Sequence, residues 1–454
     1  MWIQSLTLKN YRRFEDLHVE FNLDQGQGGL TVLVAQNGEG KTSILDAINV
    51  AWGTFIGVMP NATGASLRES DQREEFVDGR TEPCGALEIA ATFLCDDFQE
   101  PIEVKRAFTQ SKKRPTTSTK DAKTLTAYAR QLLASPGANV NWPLIAYYGD
   151  NRLWAGERLT EQRVASTLAM GRAYGYSDAT NPKSGYKEFS VWFPALEFVT
   201  FVEEQRRIVN DAGYDEERFA RYQSQLSPIK EALRRALKPT GWDEVVSDFS
   251  HGIWAINTSL RSKTLIDSLS AGVKIIIGLV GDLAFRCVKL NPRLGRDALT
   301  LTPGVVLIDE IELHLHPAWQ QDILPTLRSI FPKIQFIVTT NSPQIVSSAP
   351  RECVRILRDG GVQNPDFQTQ GVESQEILRE IFGVDPAPAN DPFVIKLFEY
   401  DDTVRAGKAD EELGKKLYAE LVEHFGLDYP PLERIELFRR QLKKSQTSDE
   451  GRNA

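Results

Sequence analysis

The sequence has little cysteine, and its cysteines are not spaced for metal or disulfide chemistry. The four cysteines are Cys84, Cys95, Cys287 and Cys353, and no two of them form a Cys-x-x-Cys pair. Zinc sites and the disulfide frameworks of small secreted proteins depend on closely spaced cysteines. The pattern therefore indicates neither a structural zinc site nor a disulfide-stabilised fold.

Long apolar runs and an excess of basic charge are also missing. No stretch reaches the roughly 18 apolar residues of a membrane span, and the strand-like alternation of Met1 to Leu6 differs from the apolar core of a signal peptide. We therefore expect a cytoplasmic protein without a membrane contact. The net charge of −9 means that any nucleic-acid contact must use a local patch or a partner.

The chain does contain a glycine-rich loop between a strand pattern and a helix pattern. The strand is Leu30 to Val34, the helix begins at Ile44, and the loop reads Ala35-Gln36-Asn37-Gly38-Glu39-Gly40-Lys41-Thr42-Ser43. This is the context of a phosphate-binding P-loop, in which backbone N–H groups and a helix N-terminus surround an anion. Ala35 stands where the motif has its first glycine. The alternative is a chance glycine-rich turn.

The loop predicts a nucleotide site that needs a magnesium ion. Lys41 would contact the β and γ phosphates, and the Thr42 hydroxyl would be a ligand of Mg²⁺. The predicted nucleotide-binding residues of the loop are Asn37, Gly38, Gly40, Lys41, Thr42 and Ser43.

A second apolar run, Gly304 to Ile308, ends in the carboxylates of Asp309 and Glu310. A buried strand would place both at the carboxyl edge of the sheet, where open α/β sheets bind ligands. Asp309 is predicted to hold Mg²⁺ together with Thr42, and Glu310 to polarise the attacking water. The alternative is a strand that ends in a solvated acidic turn.

Helical spacing from Val191 to Leu237 indicates a short helical hairpin without the sustained heptads of a coiled coil. Beyond it, Ser270 and Gly272 lie in a Leu-Ser-x-Gly segment that precedes a long apolar helix, Val273 to Val288. This order of P-loop, insert, Leu-Ser-x-Gly and acidic strand is similar to that of ABC-type ATPases. The similarity implies that Ser270 and Gly272 complete the nucleotide site of a second copy, in a head-to-tail homodimer or a higher homo-oligomer.

The predicted fold class is α/β: an ABC/RecF-like P-loop ATPase head with a mixed sheet, a helical insert and a C-terminal helical tail. The predicted divisions are ATPase lobe I at 1–190, the helical insert at 191–240, ATPase lobe II at 241–358 and a C-terminal helical partner-docking region at 372–444. The polar stretch 60–82 is predicted to be a loop, and the stretches 359–370 and 385–392 are predicted to be linkers. The tail carries a leucine stripe at Leu413, Leu417 and Leu421. It is either a cap on the ATPase core or a docking arm for a partner protein.

Several segments together resemble the ABC-type, AAA-family ATPases of bacterial antiphage defence, the PtuA group of Septu and related retron systems. The most specific segments are Tyr147-Tyr148-Gly149 with Arg152-Leu153-Trp154, and Leu315-His316-Pro317 with Trp319-Gln320. The resemblance implies ATP and Mg²⁺ as cofactors. It also implies a companion HNH nuclease (PtuB-like), whose cutting of nucleic acid the ATPase controls.

The same resemblance reveals a departure at the last core strand. That family usually ends this strand in Thr-Thr-His-Ser-Pro, whereas this chain has Asn341 in place of the histidine. Asparagine can donate a hydrogen bond but cannot carry a proton charge. Asn341 is therefore the candidate catalytic residue beside Glu310, and its presence predicts nucleotide binding with slow hydrolysis or none.

Other functions fit the sequence less well. A RecF/SMC-like DNA-repair ATPase acting directly on DNA is the alternative, disfavoured by the short insert and the acidic net charge. The N-terminal hairpin and long tail disfavour a transporter cassette. An overcoming-lysogenization-type nuclease would need a spaced acidic cluster after Asn341, which the sequence lacks. His314 and His316 could suggest a metal site, but without clustered further ligands a dimer-contact loop is the favoured interpretation.

Overall fold

The structure is a computed structural model of the chain. It describes residues 1–24, 28–77, 79–109, 116–118, 122–134, 137, 139–152, 154, 161–183, 185–248, 252–385, 387–388 and 390–450.

Sixteen strands are present in these residues. In chain order they are β1 Trp2–Tyr11, β2 Phe14–Glu20, β3 Gly29–Val34, β4 Glu74–Val77, β5 Arg80–Pro83, β6 Leu87–Leu94, β7 Ile102–Thr109, β8 Thr116–Ser118, β9 Leu144–Tyr148, β10 Glu244–Asp248, β11 Gly252–Asn257, β12 Ser262–Leu265, β13 Gly304–Ile308, β14 Ile334–Thr340, β15 Val354–Arg358 and β16 Gly361–Gln363.

Fourteen α-helices accompany the strands within the same described ranges. They are α1 Lys41–Ala51, α2 Gly53–Ile56, α3 Lys123–Ala134, α4 Glu161–Ala169, α5 Lys187–Ile208, α6 Glu216–Leu237, α7 Ala271–Leu290, α8 Ala298–Leu301, α9 Pro317–Ile330, α10 Pro343–Ser347, α11 Ser374–Glu380, α12 Pro392–Arg405, α13 Glu412–Phe425 and α14 Pro430–Glu450.

A six-stranded mixed sheet forms the centre of the fold, in the order β16-β15-β3-β14-β13-β9. The strands β15, β3, β14, β13 and β9 run parallel, and only β16 pairs antiparallel to its neighbour. Every residue of β3, β9, β13 and β14 is buried. Parallel strands covered on both faces read as continuous apolar runs, which is why these four strands are visible in the sequence. The predicted fold class is confirmed.

An antiparallel sheet, β2-β1-β6-β7-β8, adjoins the central sheet. The side chain of Gln335, on β14, joins the two sheets. Its Oε1 accepts from the N–H of Ile3 at 2.8 Å, and its Nε2 donates to the carbonyl of the same residue at 2.8 Å. The Gln335 side chain is fully buried. Its amide therefore satisfies the backbone N–H and carbonyl of Ile3 where water cannot reach them.

The predicted helical hairpin is present as α5 and α6. Asp215 caps α6 by accepting a hydrogen bond from the N–H of Arg218, as short polar side chains do at helix starts. At the other end, the rings of Tyr186 and Phe189 lie against the backbone of α7 at Gly278 and Gly281. A Cβ on either glycine would come within 2.5 Å of these rings. The N-terminal end of α5 therefore packs directly against the backbone of α7.

A buried ion pair connects α7 to the central sheet. The Nε of Arg286 lies 2.7 Å from a carboxylate oxygen of Asp282, and the Tyr148 hydroxyl donates to the same oxygen at 2.7 Å. The Arg286 guanidinium also donates to the carbonyls of Gly175 and Ser177. Both charged side chains are almost completely buried, so each depends on the other to compensate for lost hydration.

One predicted loop and one predicted linker contain short strands instead. The stretch 60–82 includes β4 and part of β5, whose residues are all exposed, so no apolar alternation marked them. The stretch 359–370 includes β16, which follows a two-residue turn at Asp359 and Gly360, both with positive φ. Asp-Gly between two strands is a strong hairpin signal, and the interpretation as a linker missed it.

The chain divides into two compact units, Met1–Ile377 and Leu378–Ala454. The second unit has a hydrophobic core of its own, built from α12, α13 and α14 around Leu397, Tyr400 and Leu432. Two residues of the leucine stripe, Leu417 and Leu421, are buried in this core, whereas Leu413 is exposed. The stripe therefore packs within the tail itself. None of the helices in the described residues is long and apolar enough to cross a membrane.

The buried ion pair generates a stability prediction. Replacing Asp282 with alanine leaves the Arg286 charge buried without its carboxylate, so we expect a loss of about 3–5 kcal/mol in the free energy of unfolding. The control is Glu231→Ala, which breaks the exposed pair between Glu231 and Arg234 and should cost no more than about 1 kcal/mol. Chemical denaturation of the two variants measures both values. Equal losses would contradict the interpretation.

Candidate nucleotide-binding site

The predicted P-loop connects the carboxyl end of β3 to α1. Gly38 and Gly40 have φ of +84° and +94°, a backbone conformation that glycine adopts without strain. A Cβ at Gly40 would lie 2.6 Å from the Phe14 ring, whereas nothing lies within 4 Å of a Cβ at Gly38. The loop is thus tight against the β1–β2 hairpin on one side and open on the other, and Asn37 is exposed beside Gly38.

Lys41 lies at the start of α1 with its ammonium group inside the loop. Its Nζ donates to the carbonyl of Ala35 at 2.8 Å and to the side-chain oxygen of Asn341 at 2.7 Å. Burial lowers the pKa of this ammonium, and the carboxylates of Glu312 and Asp309 act in the opposite direction. The structure therefore brings the P-loop lysine and the last core strand together.

The first carboxylate of the acidic strand meets the P-loop directly. The hydroxyl of Thr42 donates to Oδ2 of Asp309 at 2.7 Å, and the hydroxyl of Thr339 donates to the other oxygen. Asp309 is 3% exposed. Two oxygen donors of the kind that Mg²⁺ prefers, a hydroxyl and a carboxylate, are thus adjacent.

Glu310 follows in an unusual backbone conformation. Its φ is +46°, and its N–H donates to the hydroxyl of Thr339 at 2.8 Å, so the neighbouring strand holds the turn in place. Burial raises the pKa of the Glu310 carboxyl, and the carboxylates of Glu312, Asp309 and Asp150 raise it further. A carboxyl group with a raised pKa is better suited to accept a proton near neutral pH.

Asn341 is positioned by a carboxylate that the sequence reasoning did not identify. Glu312 accepts the N–H of Asn341 at 2.6 Å and the hydroxyl of Thr340 at 2.7 Å. These two bonds fix the end of β14 so that the Asn341 side chain faces Lys41. The only sequence signal was an acidic residue two positions after Glu310.

The N-terminus of α1 and the neighbouring side-chain oxygens fit a nucleotide and a metal ion. Helix α1 has 11 residues, no side-chain cap and no acidic residue in its first turn. The first-turn N–H groups of a helix lack partners within the helix, and here they adjoin the Lys41 ammonium. These donors fit an anionic phosphate, and the Thr42 and Asp309 oxygens fit Mg²⁺.

Comparison with known proteins agrees with this geometry. A family described as "AAA domain" matches residues 5–238, which is more than half of the chain. The chain belongs to the AAA-domain family. A second family, described as "AAA domain, putative AbiEii toxin, Type IV TA system", matches residues 156–347.

Curated relatives of this AAA-domain protein include retron and Septu proteins. It is 26% identical over 481 aligned positions to the "Retron Ec83 probable ATPase" of Escherichia coli, covering 96% of this chain and 86% of the relative. It is 24% identical to the "Septu protein PtuA" of Bacillus mycoides, covering 75% of this chain but only 38% of that relative. The predicted resemblance to retron and Septu ATPases is confirmed.

Solved structures that resemble the AAA-domain protein include SMC heads. One is "SmcHead bound to the C-winged helix domain of ScpA", with a TM-score of 0.45 and 17% identity over 80% of this chain and 97% of that one. A second is an "SMC head domain from Thermotoga maritima", with a TM-score of 0.42 and 16% identity.

Arg152 is a further site residue that sequence reasoning did not assign to a role. Its side chain is fully buried. Its guanidinium donates to the carbonyl of Glu310 at 2.6 Å, to that of Gly149 at 2.8 Å and to that of Asp309. No carboxylate within the described part of the chain forms an ion pair with it. Arg152 therefore connects the end of β9 to the backbone of both site carboxylates in this AAA domain.

Two arginines in the turn of the β1–β2 hairpin contact the P-loop and helix α1. Arg12 donates to the Asp46 carboxylate on α1 at 2.7 Å, and it also contacts the Ser43 hydroxyl at 3.3 Å. Arg13 lies 2.8 Å from a carboxylate oxygen of Glu39 in the P-loop and donates to the carbonyl of Gly38. Arg12 and Arg13 thus hold the P-loop and the start of α1 against the β1–β2 hairpin. The Ser43 hydroxyl contacts Arg12 of this hairpin.

The Leu-Ser-x-Gly segment lies elsewhere in the AAA domain. Ser270 is exposed at the start of α7, and a Cβ at Gly272 would lie 2.6 Å from the carbonyl of His314. Among the described residues no hydrogen bond joins Ser270 or Gly272 to the P-loop. The role of Ser270 and Gly272 in the nucleotide site of a second copy stays a prediction.

His316 caps α9 by accepting the N–H of Ala318 at 3.3 Å.

The position of Lys41 generates a binding prediction. We expect Lys41→Ala to weaken the binding of labelled ATP about a hundredfold or more, because charge-assisted bonds to phosphate are lost. The control is Lys105→Ala, which removes an exposed lysine paired with Glu88 and should leave the affinity unchanged. Titration with a fluorescent ATP analogue measures both. Equal affinity in Lys41→Ala and the unmodified chain would overturn the assignment of the P-loop.

Proposed function

We propose that this chain is the ATP-binding regulatory ATPase subunit of an antiphage defence complex, and that it controls a partner HNH nuclease. The observation that carries the proposal is the meeting of Lys41, Thr42, Asp309 and Glu310 at one edge of the central sheet. The similarity to retron and Septu ATPases supports the defence context.

Each residue of the site has a role in this proposal. Lys41 would exchange its contacts with Ala35 and Asn341 for phosphate oxygens. Thr42 and Asp309 would hold Mg²⁺, which supplies positive charge against the phosphates when it is bound. Glu310 would orient the attacking water and accept its proton, while Arg152 keeps the Glu310 backbone in place.

The second copy would contribute Ser270 and Gly272 across a head-to-tail homodimer. Ser270 is exposed, and it starts a helix of 20 residues, so its hydroxyl and the helix N-terminus are available to an anion on the partner. Nucleotide would then lie between two protomers, and dimer geometry would depend on whether it is bound.

The C-terminal region, 372–444, is the proposed docking region for the nuclease. Most of this region belongs to a separate unit with its own core, so it can present a surface without support from other elements. Two apolar side chains of α12, Ile395 and Phe398, are 45% and 46% exposed. They lie one helical turn apart, on the same face of the helix, and offer an anchor for a partner.

The Asn341 side chain generates a prediction about turnover. An imidazolium at this position would stabilise the charge that develops on the γ-phosphate, and loss of one such interaction commonly costs about 3 kcal/mol, or roughly a hundredfold in rate. We expect slow hydrolysis or none in the natural chain and at least a tenfold gain in Asn341→His. Steady-state phosphate release measures both.

The control for turnover is Glu310→Gln in each background, which should remove any measured hydrolysis while leaving nucleotide bound. Fast hydrolysis by the natural chain that histidine does not improve would show that hydrolysis belongs to the working cycle and that Asn341 is compensated within the site.

A second prediction concerns control of the nuclease. We expect an HNH nuclease encoded beside this chain to co-purify with it, and we expect cleavage of nucleic acid by the complex to change at least tenfold when Mg-ATP is added. In Lys41→Ala the complex should form but lose its response to ATP, because the P-loop no longer binds the phosphates.

Two further variants sharpen the nuclease experiment. Phe398→Glu should release the nuclease if α12 carries the contact, while Arg234→Gln, on an exposed face of α6, should change nothing. Cleavage that is the same with and without ATP, or a nuclease that never co-purifies, would contradict the proposal. Direct ATP-dependent action on DNA by this chain alone would favour a RecF/SMC-like repair ATPase instead.

A further inference from the structure

A cavity lies among the helical elements, apart from the P-loop. Its volume is about 700 Å³, which is within the usual range of small-molecule sites. Residues of α4, α5 and α6, together with the carboxyl end of α7, line it. None of the residues assigned to the nucleotide site is among them.

Positive charge converges on this cavity. Arg221 and Lys289 line it together with Arg172, whose guanidinium already donates to the carbonyls of Leu290 at 2.6 Å and Val140 at 3.0 Å. No acidic side chain is found in the lining as far as the structure describes it. Burial lowers the pKa of the Lys289 ammonium to about 8, so at neutral pH the lysine remains charged. Its Nζ lies 3.5 Å from the carbonyl of Leu168, a weak contact for a partly buried cation.

Trp192 contributes an aromatic ring to the same lining. It is 1% exposed and packs against Phe285, with the ring centroids 5.0 Å apart. The cavity thus combines cationic donors with aromatic surface, and its described lining has no anionic acceptor.

The rest of the lining is apolar and aromatic. Val164, Leu168 and Val199 form an apolar wall, and Tyr222 adds a partly exposed ring. An inorganic anion would leave most of such a cavity unfilled. A flat, weakly polar body attached to the anion would fill it, because aromatic side chains stack on such groups.

We propose that this cavity binds a nucleotide unit at a site separate from the P-loop, with the phosphate near Arg221 and Lys289 and the base against Tyr222 and the apolar wall. The unit is either a free nucleotide or the terminal nucleotide of a nucleic-acid strand, since both present the same phosphate and base. None of the P-loop residues lines this cavity, so binding here is independent of the proposed function.

Calorimetric titration of the full chain with three probes tests the proposal. The probes are inorganic phosphate, thymidine 5′-monophosphate and a 5′-phosphorylated oligothymidylate. We expect the monophosphate to bind more tightly than inorganic phosphate. Tighter binding of the oligonucleotide would assign the site to strand ends, and equal binding would assign it to free nucleotides.

Variants locate the binding. Arg221→Gln and Lys289→Gln should each weaken binding about tenfold or more, since each removes a charge-assisted contact. Arg221 is exposed, so its substitution should not disturb folding. The matched control is Arg234→Gln on the same helix, whose guanidinium pairs with Glu231 outside the cavity, and it should leave binding unchanged.

The Lys41→Ala chain separates this site from the P-loop, because binding of the probes should persist in it. Absence of binding at millimolar probe, equal affinity in the cavity variants and the unmodified chain, or loss of binding in Lys41→Ala would each overturn the proposal. Equal affinity for inorganic phosphate and the monophosphate would overturn recognition of the base.

Discussion

Parallel pairing of β3, β14, β13 and β9 is the constraint on which the rest of the site depends. Because neighbouring strands run in one direction, their carboxyl ends meet at a single edge. Four short segments widely separated along the chain therefore become neighbours there: the P-loop, the Asp309–Glu310 turn, the Thr339–Asn341 end and the Arg152 segment. The 2.7 Å bond between Thr42 and Asp309 is a direct consequence of this register.

The sequence allowed prediction of the parts of the site whose chemistry is local. A glycine-rich loop between a strand and a helix, and an apolar run that ends in two carboxylates, each have a pattern in consecutive residues. The four buried strands and the apolar helix α7 were recognisable for the same reason. The apolar character of these segments is continuous because they are covered on all sides.

What could not be predicted depends on contacts between distant residues. Arg152 reaches the carbonyls of Asp309 and Glu310 only because β9 pairs with β13. Gln335 is an isolated polar residue in an apolar strand, and its role becomes clear only when β1 lies beside it. The leucine stripe of the tail looked available to a partner, yet Leu417 and Leu421 pack within the tail unit. Periodicity shows which face of a helix is apolar but not what covers it.

The close packing of the N-terminal end of α5 against α7 has a mechanical consequence. Tyr186 and Phe189 contact the α7 backbone at Gly278 and Gly281, with no intervening side chains to absorb a displacement. Helix α5 has 22 residues, so it is about 33 Å long. A tilt of about 5° at its root would move its far end, with the exposed Phe201 and Ile208, by roughly 3 Å. The exposed end of α5 is therefore the part of the helical hairpin that a small rotation of α7 would displace most.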